Sequence, residues 1–294
     1  MEPLQTQAPP AARMPTHLYA LAAMVVLQLG QAVAKPLFGP LGVAGATSLR
    51  LVIAALVLLA LTRPRLRGAT PKQLGSALLL GVVSGAMTLT FAASIARIPL
   101  GVTATIEYLG PLTVAVLGSR RVQDVFWALV AGGGVALITL GVGTGDAALD
   151  PVGIGFAAAA AVCWGLYLIF TQRVGKTFDG FQGLALSITI GAVAVAPLGA
   201  AEGATGLAHA SDPWWLLLHV ALAAMLFPVI PYALEMAALR RMSPRVLGIL
   251  FSLEPAIAAL VGFFALSQGL HGAQIAGIAL VTSASVAVSL TSRK

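Results

Sequence analysis

The amino-acid sequence predicts an all-α integral membrane protein of ten transmembrane helices, built as two inverted five-helix repeats with both termini in the cytoplasm. Three observations carry this reading. Ten long apolar stretches run along the chain, basic residues crowd alternate gaps between them, and the second half repeats backbone-determining residues of the first at an offset of 144. Each stretch is long enough to cross about 30 Å of hydrocarbon at about 1.5 Å per helical residue.

Taken in order, span one (17–38) follows a Pro-rich segment (Pro3, Pro9, Pro10, Pro15) that reads as a disordered cytoplasmic tail over residues 1–16. It is too long for a signal-peptide core and lacks a cleavage site, so it is expected to be retained. Span two covers 42–62. Span three (73–95) carries Gly81-x-x-x-Gly85, and span five (123–143) carries Gly132-Gly133-Gly134, both suited to close helix contact in lipid. Span four (99–119) opens on Pro99. A Gly/Asp-rich link, 141–151, then reads as a short external turn. Spans six to ten follow at 151–171, 181–200, 214–238, 243–266 and 271–290.

The even gaps hold Arg63, Arg65, Arg67 and Lys72, then Arg120 and Arg121, then Arg173 and Lys176, then Arg240, Arg241 and Arg245. The odd gaps offer only Arg97 and, at a helix end, Lys35; their acids are Asp146, Asp150, Glu202 and Asp212. Short loops rich in Lys and Arg stay cytoplasmic. Arg13 before the first span and Arg293 and Lys294 after the last therefore set both termini on the cytoplasmic side.

Composition excludes other classes. Hydrophobic residues make up 59% of 294 and charged residues 9%, too little polar material to cover a soluble domain. A mean hydropathy of +0.95 agrees. The net charge of +7 is spread over loop ends instead of one patch, so lipid, and not nucleic acid, is the expected partner. The single Cys163 rules out an intramolecular disulfide and a multi-cysteine zinc site. A homodimer is left open.

At the 144-residue offset Val102 meets Val246, Leu109 meets Leu253, Pro111 meets Pro255, Ala115 meets Ala259, Gly118 meets Gly262 and Gly133 meets Gly277. The prolines and glycines carry the weight, because they answer backbone needs and not hydrophobic volume. Five spans fused to five place the halves in opposite orientation, the plan of many secondary transporters with a site at the midplane between the repeats. The repeats are expected at 17–143 and 151–290.

Residues costly in a bilayer mark the candidate site. A charge at a helix centre costs roughly 2.5–3.5 kcal/mol on insertion scales. Glu107 in span four, Glu254 in span nine and Arg50 in span two lie at depth, and Glu235 lies nearer the end of span eight; Lys35 is close enough to a helix end to snorkel. Pro111 and Pro255 deprive the carbonyls of Glu107 and Phe251 of a helical partner, and Pro228 and Pro231 do the same for Ala224 and Phe227. A carboxylate beside a freed carbonyl suits a proton or an ammonium group, and Tyr108, Trp164, Tyr167 and Tyr232 can wall it with aromatic faces. Each has a plainer alternative. Glu107 and Arg50 can form an ion pair that only fixes packing, Glu254 can cap the break at Pro255, and the aromatic rings can simply pack. Gln28 and Gln31 either line a pore or bond between helices. Arg50 is expected to meet Glu107, a freed carbonyl or a substrate carboxylate. Burial disfavours a charged carboxyl and a nearby cation favours it, so a coupling proton on Glu107 needs both influences.

Enzyme signals are weak. The sequence has no His-Glu-x-x-His, no Gly-x-Ser-x-Gly and no Gly-x-x-x-x-Gly-Lys-Ser/Thr, and Gly141-x-Gly143-x-Gly145 lacks a strand–helix setting. No catalytic residue, metal or cofactor is expected, and uphill transport without an ATP site requires an ion gradient or exchange.

The stretch from Pro99 to Arg121 (PLGVTATIEYLGPLTVAVLGSRR) resembles span four of EamA-type carriers of the drug/metabolite transporter superfamily. Ser48-Leu-Arg-Leu51 resembles that family's span two, Cys163-Trp-Gly-Leu-Tyr167 its span six, and Ser243-Pro-Arg-Val246 its span nine more generally. The resemblance covers nearly the whole chain as two EamA repeats. It implies a bacterial inner-membrane carrier that exports small metabolites, foremost amino acids of the threonine/homoserine type, coupled to protons. The alternatives are a drug or other metabolite exporter of the same superfamily, or, from a different class, a membrane-embedded enzyme or lipid flippase.

Overall fold

A computed structural model of the chain describes residues 16–64, 70–117, 122–140, 149–174, 181–239 and 250–291. Among these residues all regular structure is helical. The first expected span is α1 (Thr16–Ala34), a 3₁₀ turn (Lys35–Leu37) and α2 (Phe38–Leu41); it is followed by α3 (Val43–Thr62) and α4 (Pro71–Ile95). The fourth is split into α5 (Leu100–Glu107) and α6 (Leu109–Leu117). Then come α7 (Val122–Leu140), α8 (Pro151–Val174) and α9 (Phe181–His209). The eighth is α10 (Pro213–Ala224), a π-helical turn (Met225–Val229) and α11 (Ile230–Leu239), and the chain closes with α12 (Glu254–Leu266) and α13 (Gly272–Thr291).

Eight helical stretches are long and apolar enough to cross a membrane, and Val122–Ile138 and Glu254–Leu266 are shorter apolar helices. Their outward faces carry exposed apolar side chains, such as Leu61 at 72% and Phe264 at 78% exposure, which only a lipid solvent tolerates in such numbers. Residues 1–15 of the tail expected over 1–16, residues 141–148 of the link expected over 141–151 and most basic loop residues, among them Arg65, Arg120, Lys176 and Arg240, lie outside the described residues, as does Ser243–Val246; Thr16 already belongs to α1.

The helix starts follow local chemistry. Thr70 and Gln73 form a reciprocal capping box ahead of Pro71 at the first position of α4. Asp212 caps α10 by accepting from Trp215 N at 2.9 Å. At the start of α3, Gly42 has φ +68, a left-handed conformation that disfavours any side chain.

Two expectations need correction. Span one continues past 38 to Leu41, where Gly42 turns the chain. Span seven does not stop at 200, and Glu202 is not a gap residue: α9 runs on to His209. The helix continues because its last turns lie against α2 and the start of α3, and Glu202 Oε2 accepts from Gly45 N at 3.3 Å, satisfying one of α3's open amides.

Packing is pairwise. The face of α3 with Leu51, Ala54 and Leu58 meets Ala185, Ile188 and Ala192 of α9. Likewise α4 lies on α8, α7 on α13, α5 on α12, and α1 on the α10–α11 rod. Where α5 crosses α12, a Cβ on Gly101 would sit 2.6 Å from Ala259 Cα, so only glycine permits that approach. One end of the bundle is tied by polar contacts. Arg97 pairs with Asp150 at 3.0 Å, Ser94 Oγ donates to Gly153 O at 2.9 Å, and Leu100 N donates to Gln268 Oε1 at 2.9 Å.

Candidate functional site

Three interrupted helices surround one cavity. The break between α5 and α6 falls at Tyr108, because Pro111 offers no N–H to the carbonyl of Glu107. The chain ahead of α12 turns at Ser252 and Leu253, with Leu253 N bonding to Leu250 O at 3.0 Å, before Glu254 and Pro255 open the helix. Between α10 and α11, Phe227 is extended (φ −156, ψ 120), and the helix resumes as Ile230 N reaches Met225 O. Such breaks are tolerated at membrane depth where they line a cavity.

The cavity measures about 280 Å³. Glu107, Glu235 and Glu254 supply three carboxyl groups to its wall, and Tyr108, Trp164, Tyr167, Phe227 and Tyr232 supply rings. Gln31, Thr88, Pro111 and Pro231 also line it, and among the described residues no Lys, Arg or His does. Glu107 and Glu254 are buried, each 8% exposed, whereas Glu235 is half-buried. Tyr108 meets Trp164 edge to face at 5.4 Å between ring centroids, and its hydroxyl donates to Ser252 Oγ at 3.4 Å. Gln28 Nε2 donates to Glu254 Oε1 at 3.2 Å. Among the described residues no group of three or more His, Cys, Asp or Glu is arranged to hold a metal ion.

Of the residues singled out in the sequence, Glu107, Glu235, Glu254, Tyr108, Trp164, Tyr167, Tyr232, Gln31, Pro111 and Pro231 thus line one wall system. Pro228 and Pro255 are buried beside it without lining it. The expected contact between Arg50 and Glu107 is not formed. Arg50, 1% exposed, donates from Nη1 to Gln31 Oε1 at 2.9 Å and lies 5.1 Å over the ring of Phe227. The reason is topological: α3 packs chiefly on α9, and Arg50 meets the cavity wall from behind, through Gln31 of α1 and Phe227 of the π-helical turn.

Sequence reasoning noted Glu235 only as lying nearer the end of span eight, gave it no role, and did not place Phe227 in the site. A signal for Glu235 was present: Pro231, Tyr232 and Glu235 recur at helical spacing and so share a face of α11. Nothing local announced Phe227, whose role depends on the π-helical turn.

The chain matches the EamA-like transporter family over residues 151–290. It is 37% identical over 279 residues to the threonine/homoserine exporter RhtA of Salmonella typhimurium (strain SL1344), covering 94% of this chain and 92% of that protein. The chain belongs to the EamA-like transporter family. Identity to the Escherichia coli (strain K12) threonine/homoserine exporter RhtA is also 37%, over 276 residues, with 93% and 91% of the two chains covered. Protein PecM of Dickeya dadantii (strain 3937) is 30% identical over 218 residues, 67% of this chain and 68% of that one. A solved crystal structure shares the fold, with a TM-score of 0.59 at 20% identity over 94% of this chain and 96% of that one. This EamA-like protein is therefore a multi-pass membrane transporter of small metabolites and not an enzyme.

Proposed function

We propose that this transporter is a proton-coupled secondary exporter of amino acids of the threonine/homoserine type, working in the bacterial inner membrane. The observation that carries the reading is the cavity, where three carboxyl groups and an aromatic wall meet at helix breaks with no lining cation among the described residues. That chemistry attracts an ammonium group. At about 280 Å³ the space fits a small metabolite and lies just under the roughly 300–1,000 Å³ of typical ligand pockets. The names of the 37%-identical relatives support the amino-acid class.

In the proposed architecture ten spans form two inverted five-helix repeats, 17–143 and 151–290, with both termini cytoplasmic. Pairing supports it. α3 meets α9, α5 meets α12 and α7 meets α13, each the contact of a span with its counterpart five spans on. Tyr108 and Ser252, 144 residues apart, touch each other. Residues related by a two-fold axis meet only near that axis, which for inverted repeats lies at the midplane. Glu107 and Glu254 are within two residues of that contact.

In the proposed cycle Glu107, beside its freed carbonyl, is the acceptor for the substrate ammonium and carries the coupling proton, with Glu254 as second proton site. Protonation from outside discharges the attraction and releases the substrate; deprotonation toward the cytoplasm restores it. The test is transport into proteoliposomes under an imposed pH gradient. Gradient-dependent movement and counterflow of threonine or homoserine support the assignment. Gradient-driven movement of other metabolites or drugs alone overturns it in favour of the second reading, a broader exporter of the same superfamily.

A further inference from the structure

On the proposed reading the cavity receives an ammonium group, yet its described lining offers no cation for the carboxylate that every amino acid also carries. Among the described residues Arg50 is the basic residue that touches the cavity wall, since its hydrogen-bond partner Gln31 and its ring partner Phe227 both line the cavity. Its state is unusual. The guanidinium is 1% exposed, its Nε and Nη2 donate to nothing, and its hydrogen-bonding partner is a neutral amide. Among the described residues the only ion pair is Arg97–Asp150, so none of them is a counter-ion to Arg50. A buried guanidinium without an anion is costly, and the fork of its N–H groups matches a carboxylate through two parallel hydrogen bonds.

We propose that Arg50 is the receptor for the substrate carboxylate, covered in this structure by Gln31 and Phe227. The proposal rests on the reading of the cavity as an amino-acid site and adds the missing half of that site. Gln31 Oε1 holds one donor, Nη1, in the way a carboxylate oxygen would. A substrate carboxylate displaces it and engages Nη2 as well. The cover is built to move. Phe227 sits in the extended segment inside the π-helical turn, where fewer backbone hydrogen bonds must break than in a continuous helix. Substrates are therefore small zwitterions, selected at both ends: carboxyl groups hold the ammonium and Arg50 holds the carboxylate.

The experiment compares an amino acid with its amino-alcohol counterpart, threonine against threoninol, with homoserine as a second amino acid, in proteoliposomes holding the full chain. Arg50→Gln is expected to weaken half-saturation for the amino acids by about ten-fold or more, the loss of charge-assisted hydrogen bonds, while threoninol changes by less than about two-fold. Equal loss for both classes, or no loss for either, overturns the proposal. Gln31→Leu guards against a folding defect of the arginine variant. It removes the competing amide and leaves the cation, so half-saturation for the amino acids should improve and that for threoninol should not. Weakening of both classes by Gln31→Leu overturns the proposal. Wild-type protein that moves neither threonine nor homoserine overturns the amino-acid reading itself, whereas amino-acid transport with unchanged discrimination in the variants overturns the Arg50 subsite alone.

Discussion

Gln28 donates from Nε2 to Oε1 of Glu254 across 3.2 Å, joining α1 to the start of α12 although 226 residues separate the two in sequence. Both side chains are buried, so the bond orients a cavity carboxyl group at a point where the helix has just been interrupted by Pro255. Gln28→Leu leaves Glu254 without this donor and is expected to cost about 1–3 kcal/mol. Thermal unfolding in detergent measures it. Glu254→Gln retains an acceptor and should lose less, and a double-mutant cycle should return a non-additive coupling for the pair.

Glu107→Gln preserves shape and removes the titrating group. Export driven by a pH gradient should be abolished while exchange of substrate for substrate persists, measured in the same vesicles with and without the gradient. A variant that still concentrates substrate with a normal pH dependence would assign the coupling proton elsewhere. Glu235, the most exposed of the three cavity carboxyl groups, would then be the next residue to replace.

The crossing of α5 and α12 has no room for a side chain at Gly101. Gly101→Leu should push the helices apart and destabilise the fold by about 1–3 kcal/mol or more, visible as a lower melting temperature in detergent. Gly133, where an added Cβ meets nothing within 4 Å, is the control, and Gly133→Ala should be close to neutral.

The Arg97–Asp150 pair should leave a pH signature. The hydrogen bond from Arg97, and after it that from Val152 N, holds the exposed Asp150 carboxyl below the usual carboxylate range. A depressed acid contributes stability that is present above its unfolded-state value and lost as pH falls through the lowered one. In Arg97→Gln thermal stability near neutral pH should therefore be lower and the part of the acid-side loss owed to Asp150 should shrink, so that variant and wild type converge at low pH. Being a surface pair, its effect should be small and should shrink further with salt.

Topology can be read by labelling. In a Cys163→Ala background, a cysteine at the exposed Thr70 should be protected from an impermeant thiol reagent applied outside intact cells, and one at the exposed Ala96 should react. The opposite pattern would reverse the proposed orientation.

The membrane class and most helix limits were legible along the chain because they depend on local properties. A run of apolar residues partitions into hydrocarbon whatever its neighbours are, and Pro111 or Pro255 removes a backbone donor wherever it occurs. The same locality made Glu107, Glu254 and the tyrosines readable as residues needing a reason to lie at depth. Where a property depends on a partner, the sequence was silent. The end of α9 was set by its contact with α2 and α3, which carried the helix through Glu202 to His209.

Arg50 marks the boundary between the two kinds of information. Its burial could be inferred from its position in an apolar run; its partner could not. The sequence offered Glu107 as the opposite charge, yet the packing of α3 on α9, with α1 and the π-helical turn interposed, gave Arg50 a glutamine and a phenylalanine ring instead. Hydropathy and backbone chemistry act residue by residue and are written in order along the chain. Which two side chains meet is decided by how helices far apart in sequence come together, and that is known only when they are packed.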